Sequence, residues 1–182
     1  MNSKLIKKYN NNFLKLANID YGVEKKINLT IKKLKIIKNN KKKIIIVGNG
    51  GSAAIASHFS VDMTKNGEIR CINFNESDLL TCFSNDYGYE NWVKKALDFY
   101  MDNGDLVILI SSSGSSQNMI NAAKFLNTKK NLLITFTGFN YPNKLSKFGD
   151  INFHVKSKIY NHIENIHQYW LLSLVDLIKK KL

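Results

Sequence analysis

Three small groups of residues have the types and spacing to do chemistry. The first is the turn Gly48-Asn49-Gly50-Gly51-Ser52, and the second is Ser111-Ser112-Ser113-Gly114-Ser115-Ser116. Glycine lets a backbone approach a ligand closely, hydroxyls and free N–H groups donate hydrogen bonds, and a helix starting just beyond favours an anion. The chemistry they suit is recognition of a phosphorylated small molecule. The first turn is neither a dinucleotide fingerprint nor a Walker loop, because Ala53 stands where a third glycine belongs and no Gly-Lys-Ser follows. The serine turn carries more hydroxyls than one helix cap uses. The third group is His58 and Asp62, four residues apart and so on one face of a helix.

The elements that hold these groups follow from the hydrophobic pattern. Lys43–Val47 and Leu106–Ile110 are short continuous apolar runs, the pattern of strands buried on both faces, and each empties into one of the two turns. Helices are predicted for Ala53–Lys65, capped by Ser52, and for Gln117–Asn127, capped by Ser115 or Ser116. Ile69–Phe74, Leu132–Thr137 and Ile151–Val155 read as further strands, with helical pieces at Ser77–Phe83 and Glu90–Tyr100. Ser3–Lys38 reads as helix broken near Ile19-Asp20-Tyr21-Gly22, and a long last helix runs from near Asn161 to Lys181. Strands alternating with helices predict an α/β three-layer sandwich around a parallel sheet. Residues 1–182 read as one domain, with a helical region at 1–40 and an α/β core with its C-terminal helix at 41–182. The apolar stripe Ile163, Ile166, Trp170, Leu174 and Leu177 suits either core packing or a helical subunit interface.

Composition narrows the function classes. The formal charge of +13 invites a nucleic-acid reading, but Arg70 is the sole arginine, and bidentate phosphate and base-edge recognition lean on arginine. A solvated lysine-rich surface is the preferred reading. Cys71 and Cys82 form no C-x-x-C pair and read as buried free thiols of a reducing cytoplasm. The N-terminal residues show no apolar leader core, and no segment has the length to span a membrane. His154 and His162 lack nameable partners and read as surface residues, while Tyr87, Tyr89 and Trp92 suit either the pocket or the core.

Five blocks occur in one order and spacing: Gly48-Asn49-Gly50-Gly51-Ser52-Ala53-Ala54, His58-Phe59, Asn85-Asp86-Tyr87-Gly88-Tyr89, Ser111–Ser116 and Ile163-Glu164-Asn165-Ile166-His167. Together they resemble the sugar isomerase (SIS) fold, and within it the phosphoheptose isomerases, over nearly the whole chain. The resemblance implies a five-stranded parallel sheet, a homotetramer, and interconversion of sedoheptulose 7-phosphate with a heptose 7-phosphate for surface polysaccharide; the chain is expected to be a homo-oligomer, dimer or tetramer. It implies phosphate binding by Ser111, Ser112, Ser113 and Ser116, with Asn49, Gly50, Gly51 and Ser52 on the first turn and Asp86 facing the sugar.

The catalytic positions depart from the family's pattern. The family's base is a glutamate one turn after the histidine matching His58, and here it is Asp62, a carboxylate shorter by one methylene. The family's second proton-transfer group is a histidine on the last helix, and its counterpart here is Leu172. His167, five residues earlier, lies about 140° around the helix and matches a different family histidine. An arginine beyond the base is replaced by Asn66, and a family glutamine across the site by Glu164. The resemblance therefore leaves Asp62 and Glu164 as catalytic candidates. Some family members bind zinc at these positions, so His58, Asp62 and Glu164 form a candidate zinc set, or else a hydrogen-bonded polar cluster. The competing function is a non-catalytic phosphosugar sensor or adaptor of the same fold, since some such proteins lack the same catalytic pair.

Overall fold

A computed structural model describes residues 3–129 and 131–179. Five parallel strands, β1 (Ile44–Gly48), β2 (Cys71–Ile72), β3 (Leu106–Ser111), β4 (Leu132–Thr137) and β5 (Ile151–His154), form one sheet in the order β2-β1-β3-β4-β5. Every pairing is parallel, with Ile44 opposite Leu106 and Gly48 opposite Ile110 at the centre. The helices are α1 (Ser3–Ala17), α2 (Tyr21–Asn39), α3 (Gly51–Lys65), α4 (Ser77–Tyr87), α5 (Trp92–Tyr100), α6 (Gln117–Leu126) and α7 (Tyr160–Lys179). The predicted end of the last helix at Lys181 lies outside the described residues.

The two-residue period of a strand sorts the apolar runs into two cores. Ile44, Ile46, Ile108, Ile110, Ile134 and Phe136 face a core closed by α2, α3 and α7. Ile45, Val47, Val107, Leu109 and Leu133 face the other, closed by α5 and α6 with Leu79, Leu80 and Phe83 of α4. Strands buried on both faces need no polar alternation, which is why their runs are continuous. The stripe on α7 is core: Ile163, Ile166, Trp170 and Leu174 are buried and Leu177 packs against the same cluster. Asp20 breaks the N-terminal helical region by accepting from Val23 N at 2.8 Å as the cap of α2.

The strand order places the site. From β1 the chain goes outward through α3 on one face to β2, and returns to β3, which leads into α6 on the opposite face. The connections after β1 and β3 thus part at their carboxyl ends and leave a crevice between them, where open parallel sheets bind ligands. At the other end Lys43 pins the two strands together: its backbone N–H donates to Asp105 at 3.0 Å, and its ammonium lies 2.6 Å from both Asp102 and Asp105.

Several expectations need correction. β2 is only two residues, paired with β1 at Ile44–Cys71 and Ile45–Ile72. Ser52 is not a cap: α3 begins at Gly51, with Gly50 before it at φ 55°, a left-handed conformation that favours glycine. His162 is buried, its ring 4.3 Å from that of Tyr9 and 5.8 Å from that of Phe13, so α1 covers it. His154 is half-buried, within 3.2 Å of the Thr137 hydroxyl. Cys71 is buried, but Cys82 is exposed on α4, its thiol 3.7 Å from Asp86.

Candidate active site

The crevice is stitched shut at its base by a pair of amides. Asn49 Nδ2 donates to Asn118 Oδ1 at 3.0 Å, and Asn118 Nδ2 donates back to Asn49 Oδ1 at 2.9 Å. Asn118 lies in the first turn of α6 and is 2% exposed, so this exchange locks the glycine turn onto the serine turn. The Tyr89 hydroxyl adds a donor to Asn49 Oδ1 at 3.3 Å, while Trp92 is buried in the core. Tyr87 stands edge-on to Phe83 with Lys95 above its ring. Sequence reasoning missed Asn118, because an asparagine opening a helix looks like an ordinary polar surface residue.

The serines divide by task. Ser116 precedes α6 but caps it with no side-chain bond; its hydroxyl pairs instead with that of Ser111 at 3.0 Å. Ser112 is buried, its hydroxyl without a hydrogen-bond partner among the described residues, and its carbonyl accepts from Gly138 N at 2.8 Å. Ser113 Oγ accepts from the Ser115 hydroxyl at 2.9 Å and from Ser115 N at 3.3 Å, which leaves its own O–H free to donate. Gly114 turns the chain at φ 63°, with the Asn143 side chain packed where a Cβ would stand. Ser113 and Ser115 border a cleft of about 400 Å³ whose far wall carries Asn143, Lys144 and Lys147.

A second cleft, of about 310 Å³, lies where α3 and α7 face each other and brings Gly51, His58, Glu164 and Gln168 together. A Cβ at Gly51 would overlap the Glu164 carboxylate, so this position must be glycine for Glu164 to fold over the start of α3. Partial burial raises the Glu164 pKa above the usual carboxylate range. His58 Nε2 lies 3.3 Å from Asp62 Oδ2, and His58 Nδ1 lies 3.3 Å from Gln168 Nε2. Asp62 Oδ1 also meets the Asn66 amide at 3.5 Å. Gln168 was not anticipated from sequence, since its partner is far away in the chain.

Other predicted site residues stand apart. Asp86 is exposed in the last turn of α4, where its carboxylate accepts from Asn85 at 3.0 Å, and no hydrogen bond ties it to either turn among the described residues. Leu172 is half-buried on α7, two turns beyond Glu164. His58, Asp62 and Glu164 do not gather into a zinc centre: among the described residues no three His, Cys, Asp or Glu side chains are placed to hold one ion. Glu164 folds back over Gly51 while His58 turns to Asp62, so the three donors do not converge and the zinc set does not fit this arrangement.

The profile of the SIS domain matches residues 15–138. The phosphoheptose isomerase of Cytophaga hutchinsonii is 31% identical over 168 residues, which cover 87% of each chain. The chain belongs to the phosphoheptose isomerase family of SIS domains. The phosphoheptose isomerase of Helicobacter hepaticus is 30% identical over 92% of this chain and 86% of its own. Among solved structures, a phosphoheptose isomerase from Francisella tularensis superposes with a TM-score of 0.89 at 22% identity, over 99% of this chain and all of that one. Phosphoheptose isomerase from Neisseria gonorrhoeae superposes with a TM-score of 0.83 at 25% identity, over 97% of this chain and 99% of its own. This phosphoheptose isomerase-like SIS protein therefore has its sheet, both turns and the facing α3 and α7 helices in the family's fold.

Proposed function

We propose that the protein binds a ketose phosphate of the sedoheptulose 7-phosphate type and interconverts it with the corresponding aldose phosphate. The observation that carries this reading is the pair of carboxyl groups presented from α3 and α7: Asp62, 3.3 Å from the His58 ring, and Glu164, folded over Gly51 with its pKa raised by burial. A carbonyl shift between C1 and C2 needs one group to take a proton from carbon and another to move a proton between the two oxygens. Asp62 takes the C1 proton of the ketose, and the electron pair moves into an enediol between C1 and C2. Glu164, which retains its proton to higher pH than an ordinary carboxyl, gives it to one oxygen and takes one from the other. Asp62 then returns its proton to C2 and the aldose leaves. Leu172 carries no proton, so this route assigns to Glu164 the shuttle that the resemblance gives to a histidine at that position.

The serine turn holds the phosphate in this reading, with the Ser113 hydroxyl and the first-turn N–H groups of α6 as donors. Ser113→Ala is expected to weaken binding of sedoheptulose 7-phosphate on the order of tenfold, the effect of one charge-assisted hydrogen bond. Titration calorimetry giving equal affinities for the variant and the wild type would place the anion elsewhere. Conversion of sedoheptulose 7-phosphate by the purified chain tests the chemistry itself.

Assembly into a dimer or tetramer belongs to the same reading. It is supported by α1, which contributes no fully buried residue and leaves Leu5, Ile6, Tyr9 and Leu14 exposed. A cytoplasmic location is likewise part of it, supported by the free Cys71 and Cys82. No described helix is long and apolar enough to cross a membrane.

A further inference from the structure

His58 has both ring nitrogens engaged, each by a group of fixed character. On one side the Gln168 amide nitrogen stands 3.3 Å from Nδ1, and on the other the Asp62 carboxylate stands 3.3 Å from Nε2. An amide N–H can only donate, so the Nδ1 it meets must be a bare lone pair. A carboxylate can only accept, so the Nε2 it meets must carry the proton. The hydrogen bond from Gln168 and the nearby carboxylate thus favour the same tautomer of a neutral imidazole.

Helix geometry explains why Gln168 reaches this place. Glu164, Gln168 and Leu172 follow one another at four-residue intervals on α7, and the first two border the cleft where α7 meets α3. On α3, His58 and Asp62 are themselves four apart. With leucine at 172, Gln168 is the polar side chain that α7 supplies to His58.

We propose that Gln168 is a positioning residue of the isomerase site. It fixes His58 as the Nε2–H tautomer, and His58 in turn donates to Asp62 and holds the carboxylate in the orientation from which it accepts the carbon proton. Gln168 touches no reacting atom; its effect passes through His58. The functional part rests on the proposed role of Asp62 as proton acceptor, whereas the tautomer assignment rests on the Gln168 hydrogen bond to Nδ1 and the 3.3 Å approach of Asp62 to Nε2.

Two-bond proton–nitrogen correlation spectra of the full chain, labelled with ¹⁵N at histidine, read the tautomer directly, with His58 assigned by the signals lost in His58→Gln. The wild type is expected to show Nε2 protonated and Nδ1 bare. Gln168→Met has nearly the same shape and no N–H, so the Nδ1–H tautomer becomes populated and both nitrogen shifts move toward each other. Gln168→Glu puts an acceptor at the same place and draws a proton onto Nδ1. A wild-type His58 protonated at Nδ1 alone, or a pattern unchanged in both variants, overturns the proposal. Where turnover is measured, Gln168→Met should lower kcat about tenfold with KM within about twofold, as expected when a reacting group is misdirected but the ligand is still held. An unchanged kcat beside a changed tautomer overturns the link to catalysis and leaves the tautomer assignment standing. A chain that turns over nothing still answers the spectroscopic question, so failure of the isomerase reading and failure of this one are told apart.

Discussion

Asp62→Asn is expected to lower kcat for sedoheptulose 7-phosphate on the order of 10²-fold or more, with little change in KM. Asparagine keeps the size of the side chain, and its carbonyl can still accept from His58 Nε2, which lies 3.3 Å from the carboxylate in the native chain. What it loses is the capacity to take a proton from carbon, and general-base catalysis contributes roughly 10²- to 10⁴-fold. Steady-state kinetics decide the matter. A variant as active as the wild type would show that another group removes the proton, and Glu164, folded over Gly51 on the facing helix, would be the first to examine.

The second large effect is on stability and concerns His167. This imidazole is fully buried, donates from Nε2 to the Thr137 carbonyl at 3.1 Å, and has no partner for Nδ1 among the described residues. It packs edge-on to Phe136, with ring centroids 5.6 Å apart. Burial pushes its pKa down from 6.5 to about 4. In the unfolded chain the ring takes a proton below its ordinary pKa, whereas the folded chain resists protonation down to the lower value. Stability is therefore unaffected by His167 above pH 6.5, falls as the pH drops through the window from 6.5 to about 4, and levels off below it. The loss across that window is about 3 kcal/mol. Urea unfolding at pH 7 and pH 4 should show this loss in the wild type and a correspondingly smaller one in His167→Gln, which does not titrate. Equal pH dependence in the two proteins would contradict the assignment.

The parts of the molecule that local pattern controls were legible in the sequence. The continuous runs in β1 and β3, each emptying into a small polar turn and then a helical pattern, read as strands covered on both sides, with their turns together at the strands' carboxyl ends. What escaped was set by neighbours far apart in the chain. Asn118 acquires its role only when α6 meets the glycine turn, and Gln168 only when α7 crosses α3. Ser52 and Ser116 looked like caps because serine so often is one, but the backbone at Gly50 starts α3 early and Ser111 captures the Ser116 hydroxyl. His162 carried a signal that could have been read. It lies four residues before Ile166 and eight before Trp170, on the buried stripe of α7, which argues against the surface. The zinc set failed for a different reason. Residue types compatible with a metal were present, but the side chain of Glu164 lies against Gly51 instead of turning toward His58 and Asp62.

The central claim is that Asp62 and Glu164, carried on the facing helices α3 and α7, move protons on a bound ketose phosphate. It is tested most directly by proton NMR of sedoheptulose 7-phosphate incubated with the purified full-length chain in deuterated water, with zinc added and with zinc chelated. The account predicts formation of the aldose phosphate under both conditions, with deuterium appearing on carbon in the interconverting sugars and the signal lost in Asp62→Asn. Binding of the sugar phosphate with neither aldose formation nor exchange at carbon under either condition would contradict it.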